Sequence, residues 1–140
     1  MAGSLRIVIP CDTFAPDING AARFAERLAG GLVRKGHEVH IIAPAFDTSD
    51  GPRIENHDGV DMIVHRLRSH KVPQHKTLRW PEPWGMTKKI AGVLAEVRPH
   101  AVHIQSHLMV GRFALRAARR QKLRVIATNH VMPENLMRYS

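Results

Sequence analysis

Cysteine is nearly absent: Cys11 is the only one in 140 residues, which excludes an internal disulfide framework and suits a reducing compartment. Acidic residues are also scarce, 12 against 21 Lys and Arg, so the formal net charge is +9 with all 10 His neutral. No apolar run approaches the roughly 18 residues of a membrane-spanning helix. The opening MAGSLRIVIPC is too short and too weakly apolar for a secretory signal. Internal repeats and low-complexity segments are missing as well. These absences predict a cytoplasmic, strongly basic chain that meets membranes or polyanions only at its surface. At 44% hydrophobic and 24% charged, the composition is that of a folded soluble protein, and the length fits one domain.

What is present alternates between two periodicities. LRIVIP (5–10) is a nearly continuous β-branched run of the kind that forms a strand covered on both faces. After the loop CDTFAPDING, the residues Ala21, Phe24, Ala25, Leu28, Leu32 and Val33 recur at helical spacing. Gly36, after Arg34 and Lys35, marks that helix's end. HEVHIIAP (37–44) predicts a second buried strand and VDMIVHRL (60–67) a third. Residues 45–60 are otherwise turn-rich, with RIEN (53–56) a candidate for pairing. Pro73, Pro81 and Pro83 argue against regular structure over 69–83. A helix over 84–97, ended by Arg98-Pro99, leads to a strand at 100–107, a helix at 109–121 and a fifth strand at 123–130. The expected fold is α/β, a doubly wound and mainly parallel Rossmann-like sheet. MPENLMRYS opens another helix at its first turn, so residues 1–140 read as a single but truncated domain.

Ligands of such sheets sit at the carboxyl ends of the strands. The first turn has one glycine rather than GxGxxG, and the second strand closes on Ala43-Pro44 rather than an acid, so the dinucleotide fingerprint fails. A Walker loop is also lacking. What remains is Asn19-Gly20 at the start of the first helix, where free N–H groups and the helix dipole suit a phosphate and Gly20 lets the backbone come close. A plain capping turn is the alternative there.

Three segments resemble the N-terminal domain of a retaining family 4 glycosyltransferase of GT-B fold. Residues 6–44 match its strand, Pro-x-x-x-Gly loop, helix and Gly-His-x-Val. RPHAVHIQSHLMVGRFALRAARR (98–120) is similar to its Pro-Asp-x-Val-His-x-His strand and following helix. ATNHVMPENLMRY (127–139) resembles the Thr-x-His segment of enzymes that glycosylate diacylglycerol and related lipids. The resemblance implies the acceptor-side half of an enzyme that moves a sugar, with retention, from a UDP- or GDP-sugar to a lipid-linked or small hydroxyl acceptor. It also implies a missing C-terminal nucleotide-sugar domain, no metal cofactor, and a chain inactive alone. Asn19 and Gly20 would approach the donor phosphates. His107 and His130 would be catalytic contacts, and Glu134 would line the acceptor side. Where the family often has a second histidine this chain has Gln105, so either Gln105 or His107 takes that position.

Other readings follow from the residues alone. His103 and His107, about 13 Å apart along a strand, cannot share one metal ion, and His103 suits a hydrogen-bonded core position. Asp12 and Asp17 share a loop and make a poor pair for hydrolysis. Cys11 reads as structural. Arg112, Arg116, Arg119 and Arg120 form one helical stripe, while Lys71, Lys76 and Arg79 flank Leu78, Trp80 and Trp84. Basic residues mixed with Trp suit an anionic lipid interface, peripheral to the inner face of the plasma membrane, or an acceptor cleft walled by Trp80 and Trp84. The alternative to an enzyme is therefore a non-catalytic basic module docking on an anionic membrane or a protein partner. Nucleic acid ranks third, with no recognition-helix or RNA-binding signature in the sequence.

Overall fold

Alternating buried runs build a six-stranded sheet, in the order Gly51–His57, Val60–Leu67, Glu38–Pro44, Arg6–Pro10, Ala101–Ile104, Val125–Ala127. The computed structural model describes residues 3–45, 51–71, 79–81, 85–106 and 108–128. Strands β1 (Arg6–Pro10), β2 (Glu38–Pro44), β4 (Val60–Leu67), β7 (Ala101–Ile104) and β8 (Val125–Ala127) run parallel. Within this sheet β3 (Gly51–His57) alone is antiparallel among the described strands, joined to β4 through Asp58-Gly59. Both turn residues have positive φ, 54° and 79°, as a tight two-residue hairpin requires.

Each central strand sends alternate side chains into two cores. Ile7, Ile9 and Cys11 join Val39, Ile41, Met62 and Val64 beneath helix α1 (Gly20–Arg34). Val8, Ile42, Val102 and Ile104 face helices α2 (Met86–Val97) and α3 (Met109–Arg120). The fold is thus doubly wound, as the sequence predicts. Helix α1 buries Ala22, Ala25 and Ala29, small residues that let it lie close to the sheet. At Gly30 a Cβ would overlap the Asp58 carboxylate, which Arg34 of the last turn holds at 2.8 Å.

Several boundaries differ from expectation. RIEN is the middle of a full seven-residue strand, because the Asp58-Gly59 turn folds it back on β4. Residues 69–83 are not wholly irregular: β5 (Ser69–Lys71) and β6 (Arg79–Pro81) pair antiparallel as a separate ribbon. Pro81 is tolerated there because it ends a two-stranded ribbon and need not donate to a further neighbour. Helix α2 starts at Met86, after Gly85 with φ 87°. Strands β7 and β8 are shorter than the runs 100–107 and 123–130. The helical start expected over 131–139 lies outside the described residues.

Candidate functional site

The parallel neighbours β1 and β7 deliver their chains side by side to the carboxyl edge of the sheet. Asp12 follows β1 directly and is nearly buried. One carboxylate oxygen accepts from the Val110 N–H at 2.6 Å. The other accepts from Ser106 Oγ at 2.5 Å and from the Gly111 N–H at 3.3 Å. Helix α3 has no side-chain cap of its own, Leu108 standing at its N-cap. Asp12 supplies the missing acceptor from across the sheet and places a negative charge on the positive end of the helix dipole. Gly111 is what permits this closeness, since a Cβ there would overlap the Ser106 carbonyl oxygen. Asp12 and Asp17 are therefore not a catalytic carboxylate pair. Asp17 instead accepts from Thr13 Oγ1 at 3.0 Å.

The rest of the loop from Thr13 to Asn19 is tied to itself and to the sheet. Asn19 Nδ2 donates to Thr13 Oγ1 at 2.8 Å, while Asn19 Oδ1 accepts from the Ala22 N–H at 2.9 Å and caps α1. Phe14 and Ala15 are buried. Beneath them lies Arg66, only 2% exposed, donating to the Ala15 carbonyl at 2.7 Å and the Pro44 carbonyl at 3.0 Å. Arg66 also makes a two-pronged pair with Glu55, at 2.9 and 2.7 Å. Its guanidinium lies 5.6 Å from the centre of the Phe14 ring. His57 Nε2 sits 2.7 Å from the same Glu55 carboxylate and meets Phe14 edge to face. Burial alone would raise the Glu55 carboxyl; the hydrogen bonds and charges of Arg66 and His57 outweigh it and hold the group below its ordinary range.

The two helix N-termini at this edge thus differ. That of α3 is occupied by Asp12. That of α1 is exposed at Asn19, Gly20 and Ala21, and nothing lies within 4 Å of where a Gly20 Cβ would be. Backbone donors left open at a helix start are suited to a phosphate.

Other expected site residues fare differently. His107, His130, Glu134 and Trp84 lie outside the described residues. Trp80 stands in β6, opposite His70. The strand expected over 100–107 ends early, because β7 stops at Ile104. His103 reaches Thr128 Oγ1 at 2.9 Å, tying β7 to the end of β8 as a packed histidine would. Gln105 is buried, its Nε2 3.9 Å from Cys11 Sγ, and its Oε1 has no hydrogen-bond partner among the described residues. Cys11 is wholly buried, and burial, then the neighbouring Asp12, push its thiol far up, with Arg66 opposing. It is a poor nucleophile and a structural residue.

Two features lie away from the edge. Arg112, Arg116, Arg119 and Arg120 are exposed around a shallow groove with Leu115, and no ion pair engages them among the described residues. Within the sheet, His40 Nδ1 and His65 Nε2 approach to 2.9 Å, and Glu38 meets His40 at 2.7 Å. Burial, then the neighbouring His40, push His65 down to about 4, with Glu96 opposing.

Asp12, Gly111 and the Arg66–Glu55 pair escape a reading of the sequence alone. Arg66 leaves one trace: it falls in step with Met62 and Val64, on the buried face of β4, where a charge calls for a partner.

The family model for Glycosyltransferase Family 4 matches residues 18–140. A GDP-mannose-dependent alpha-mannosyltransferase of Mycolicibacterium smegmatis is 35% identical over 116 residues, which cover 82% of this chain and 29% of that protein. An alpha-monoglucosyldiacylglycerol synthase of Acholeplasma laidlawii is 25% identical over 135 residues, covering 96% of this chain and 32% of that protein. The chain thus spans about 30% of the length of these curated relatives. Among solved structures, the sucrose-phosphate synthase of Thermosynechococcus elongatus superposes with a TM-score of 0.66 at 15% identity, covering 96% of this chain and 35% of that one.

Proposed function

The chain belongs to glycosyltransferase family 4 and has the doubly wound fold of GT-B enzymes; from that premise we propose that it is the acceptor-side half of an enzyme moving a sugar, with retention, from a nucleotide sugar to a hydroxyl acceptor. The observation that carries this reading is the open start of α1, held in place by the Asn19 cap and left clear by Gly20. A donor diphosphate brought to that point meets free N–H groups and the positive end of a helix dipole. The related mannosyltransferase uses GDP-mannose, which favours a GDP-sugar over a UDP-sugar as the donor here. The diacylglycerol-glycosylating relative favours a lipid-linked acceptor.

In this proposal Asn19 and Gly20 approach the donor phosphates. His107 and His130 contact the reacting sugar or acceptor hydroxyl, and Glu134, Trp80 and Trp84 line the acceptor side. No metal ion is required of the transfer. The second domain, not represented in residues 1–140, supplies most of the nucleotide contacts, so this half alone does not turn over. The place of action is the cytoplasmic face of the membrane that holds the acceptor.

The test is transfer by the full-length protein from GDP-mannose, and from a panel of other UDP- and GDP-sugars, to lipid acceptors. Gly20→Val puts a branched side chain where the phosphates approach, and the donor KM is expected to rise about tenfold, with the melting temperature little changed. Nucleotide release from no donor, or a donor KM indifferent to Gly20→Val, overturns the assignment.

One observation favours a second reading, a non-catalytic module on an anionic membrane. From Val97 to Pro133 the sequence holds no acidic residue, and the arginines of α3 stand exposed without a carboxylate among the described residues. Membrane contact itself fits both readings, because a lipid acceptor places an enzyme at such a surface; transfer by the full-length protein separates them. No described helix is long and apolar enough to cross a membrane, so any contact by these elements is peripheral.

A further inference from the structure

We propose that buried Arg66, paired with the partly buried Glu55, is a positioning clamp for the β1–α1 loop, setting where the open start of α1 presents itself to the donor. The inference rests on the glycosyltransfer reading for its functional half and on geometry alone for its mechanical half.

Four of the five N–H groups of Arg66 have a described acceptor: two meet Glu55, one the Ala15 carbonyl and one the Pro44 carbonyl. They belong to three different segments, β3, the end of β2 and the loop after β1. A planar, rigid fork fixes their relative positions in a way that a flexible lysine does not. From Ala15 the constraint passes along the loop. The Asp17 N–H donates to the Phe14 carbonyl at 3.0 Å, Thr13 Oγ1 donates to Asp17, and Asn19 donates to Thr13. Asn19 in turn caps α1 at Ala22. Hydrogen bonds, with the Phe14–Ala15 peptide link as the one covalent step, thus connect a buried guanidinium to the exposed helix start. Phe14 closes the side of the clamp, packed between Arg66 and His57.

The chemistry of burial argues for this role. A buried ion pair is a poor source of net stability, since desolvation offsets its attraction, and well-packed apolar replacements are often as stable. Its distinctive contribution is geometric registry. Here the registry is imposed on the start of α1, where Asn19, Gly20 and Ala21 stand exposed.

The test uses the full-length protein with two substitutions, Arg66→Lys, which keeps the charge and loses the fork, and Glu55→Gln, which keeps the shape and loses the charge. Amide exchange at Ala22 and Arg23, whose N–H groups bond to Asn19, is expected to accelerate at least tenfold relative to amides in the last turns of α1. The donor KM is expected to rise about tenfold while the acceptor KM stays within twofold, an ångström of misplacement being worth up to about a hundredfold. Glu55→Gln, at a partly exposed and isosteric site, keeps the test alive should Arg66→Lys fail to fold. Unchanged exchange in a folded variant overturns the clamp. Accelerated exchange with an unchanged donor KM overturns its link to the donor. Absence of transferase activity in the parent protein overturns the glycosyltransfer reading, while the exchange result still decides the clamp.

Discussion

Single residues set most of the geometry at the carboxyl edge. Asp12 satisfies two backbone donors of α3 and the Ser106 hydroxyl, so Asp12→Ala removes a cap and the partner of a half-buried hydroxyl. The expected loss is about 2 kcal/mol of unfolding free energy by chemical denaturation, and Asp12→Asn, which keeps one acceptor, should lose less. His65 makes a second prediction, in pH. Its folded-state pKa is depressed from about 6.5 to about 4, so the folded protein binds fewer protons than the unfolded chain between these values. Stability is therefore present in full above pH 6.5 and declines as the pH falls towards 4. Denaturation midpoints across that window should show the decline in the parent and flatten in His65→Leu. The Glu55 carboxylate, whose pKa is also lowered, adds a further loss only below about pH 4.5, and that loss should persist in the His65 variant. At this scale the sequence was informative about isolated chemistry and silent about partnership. Cys11 as an inert thiol and His103 as a packed histidine were legible from a buried run and a strand register. The partners of Asp12 lie 94 to 99 positions away, and no local pattern encodes them.

Elements were legible wherever one periodicity ran unbroken. Helix α1 shows its cap at Asn19 and its terminating Gly36, and the structure gives it those limits, but its buried face is rotated from the expected stripe, with Ala22 buried and Ala21 and Phe24 exposed. Strand β3 was only half legible, because attention to turn-forming residues over 45–60 obscured the Asp58-Gly59 pair, which signals a hairpin in its own right. The ribbon of β5 and β6 was illegible for the opposite reason, since proline argues against a strand interior and Pro81 stands at a strand end. Helix α3 carries a prediction suited to its scale. With Arg112, Arg116, Arg119 and Arg120 exposed on one helix, full-length protein should bind vesicles containing phosphatidylglycerol and ignore purely zwitterionic ones. Replacing all four by Gln should weaken binding at least tenfold, at about 1 kcal/mol per well-placed cation. Binding that resists 0.5 M salt would speak against an electrostatic contact, because screening at that strength acts over less than 8 Å.

At the scale of the whole molecule, the doubly wound sheet explains why the candidate site lies at one rim. Helices α1 on one side and α2 with α3 on the other bury the strand faces, so chemistry is left to the loops where β1 and β7 end. The glycine-bearing turn after the first strand was legible at this level, and Asn19 and Gly20 are exposed there; its part in donor binding is a proposal. The candidate acceptor-side residues depend on segments outside the described structure and were reached by resemblance alone. Strand β8 forms the far edge of the sheet, with Ile126 44% exposed.

The span between Asp12 and its partners also bears on how the rim comes into being. A carboxylate near the start of the chain cannot close on Val110 until β1 and β7 are side by side, and bringing such distant positions together has an entropic cost that precedes any reward. The rim is accordingly a late event in folding. Ribosomal synthesis delivers the Asn19 loop long before the residues that steady its neighbour, so a nascent chain holds the first helix well before it holds a site. Mutations at Asp12 should then act on escape from the native state rather than on arrival at it, quickening unfolding while refolding keeps its pace.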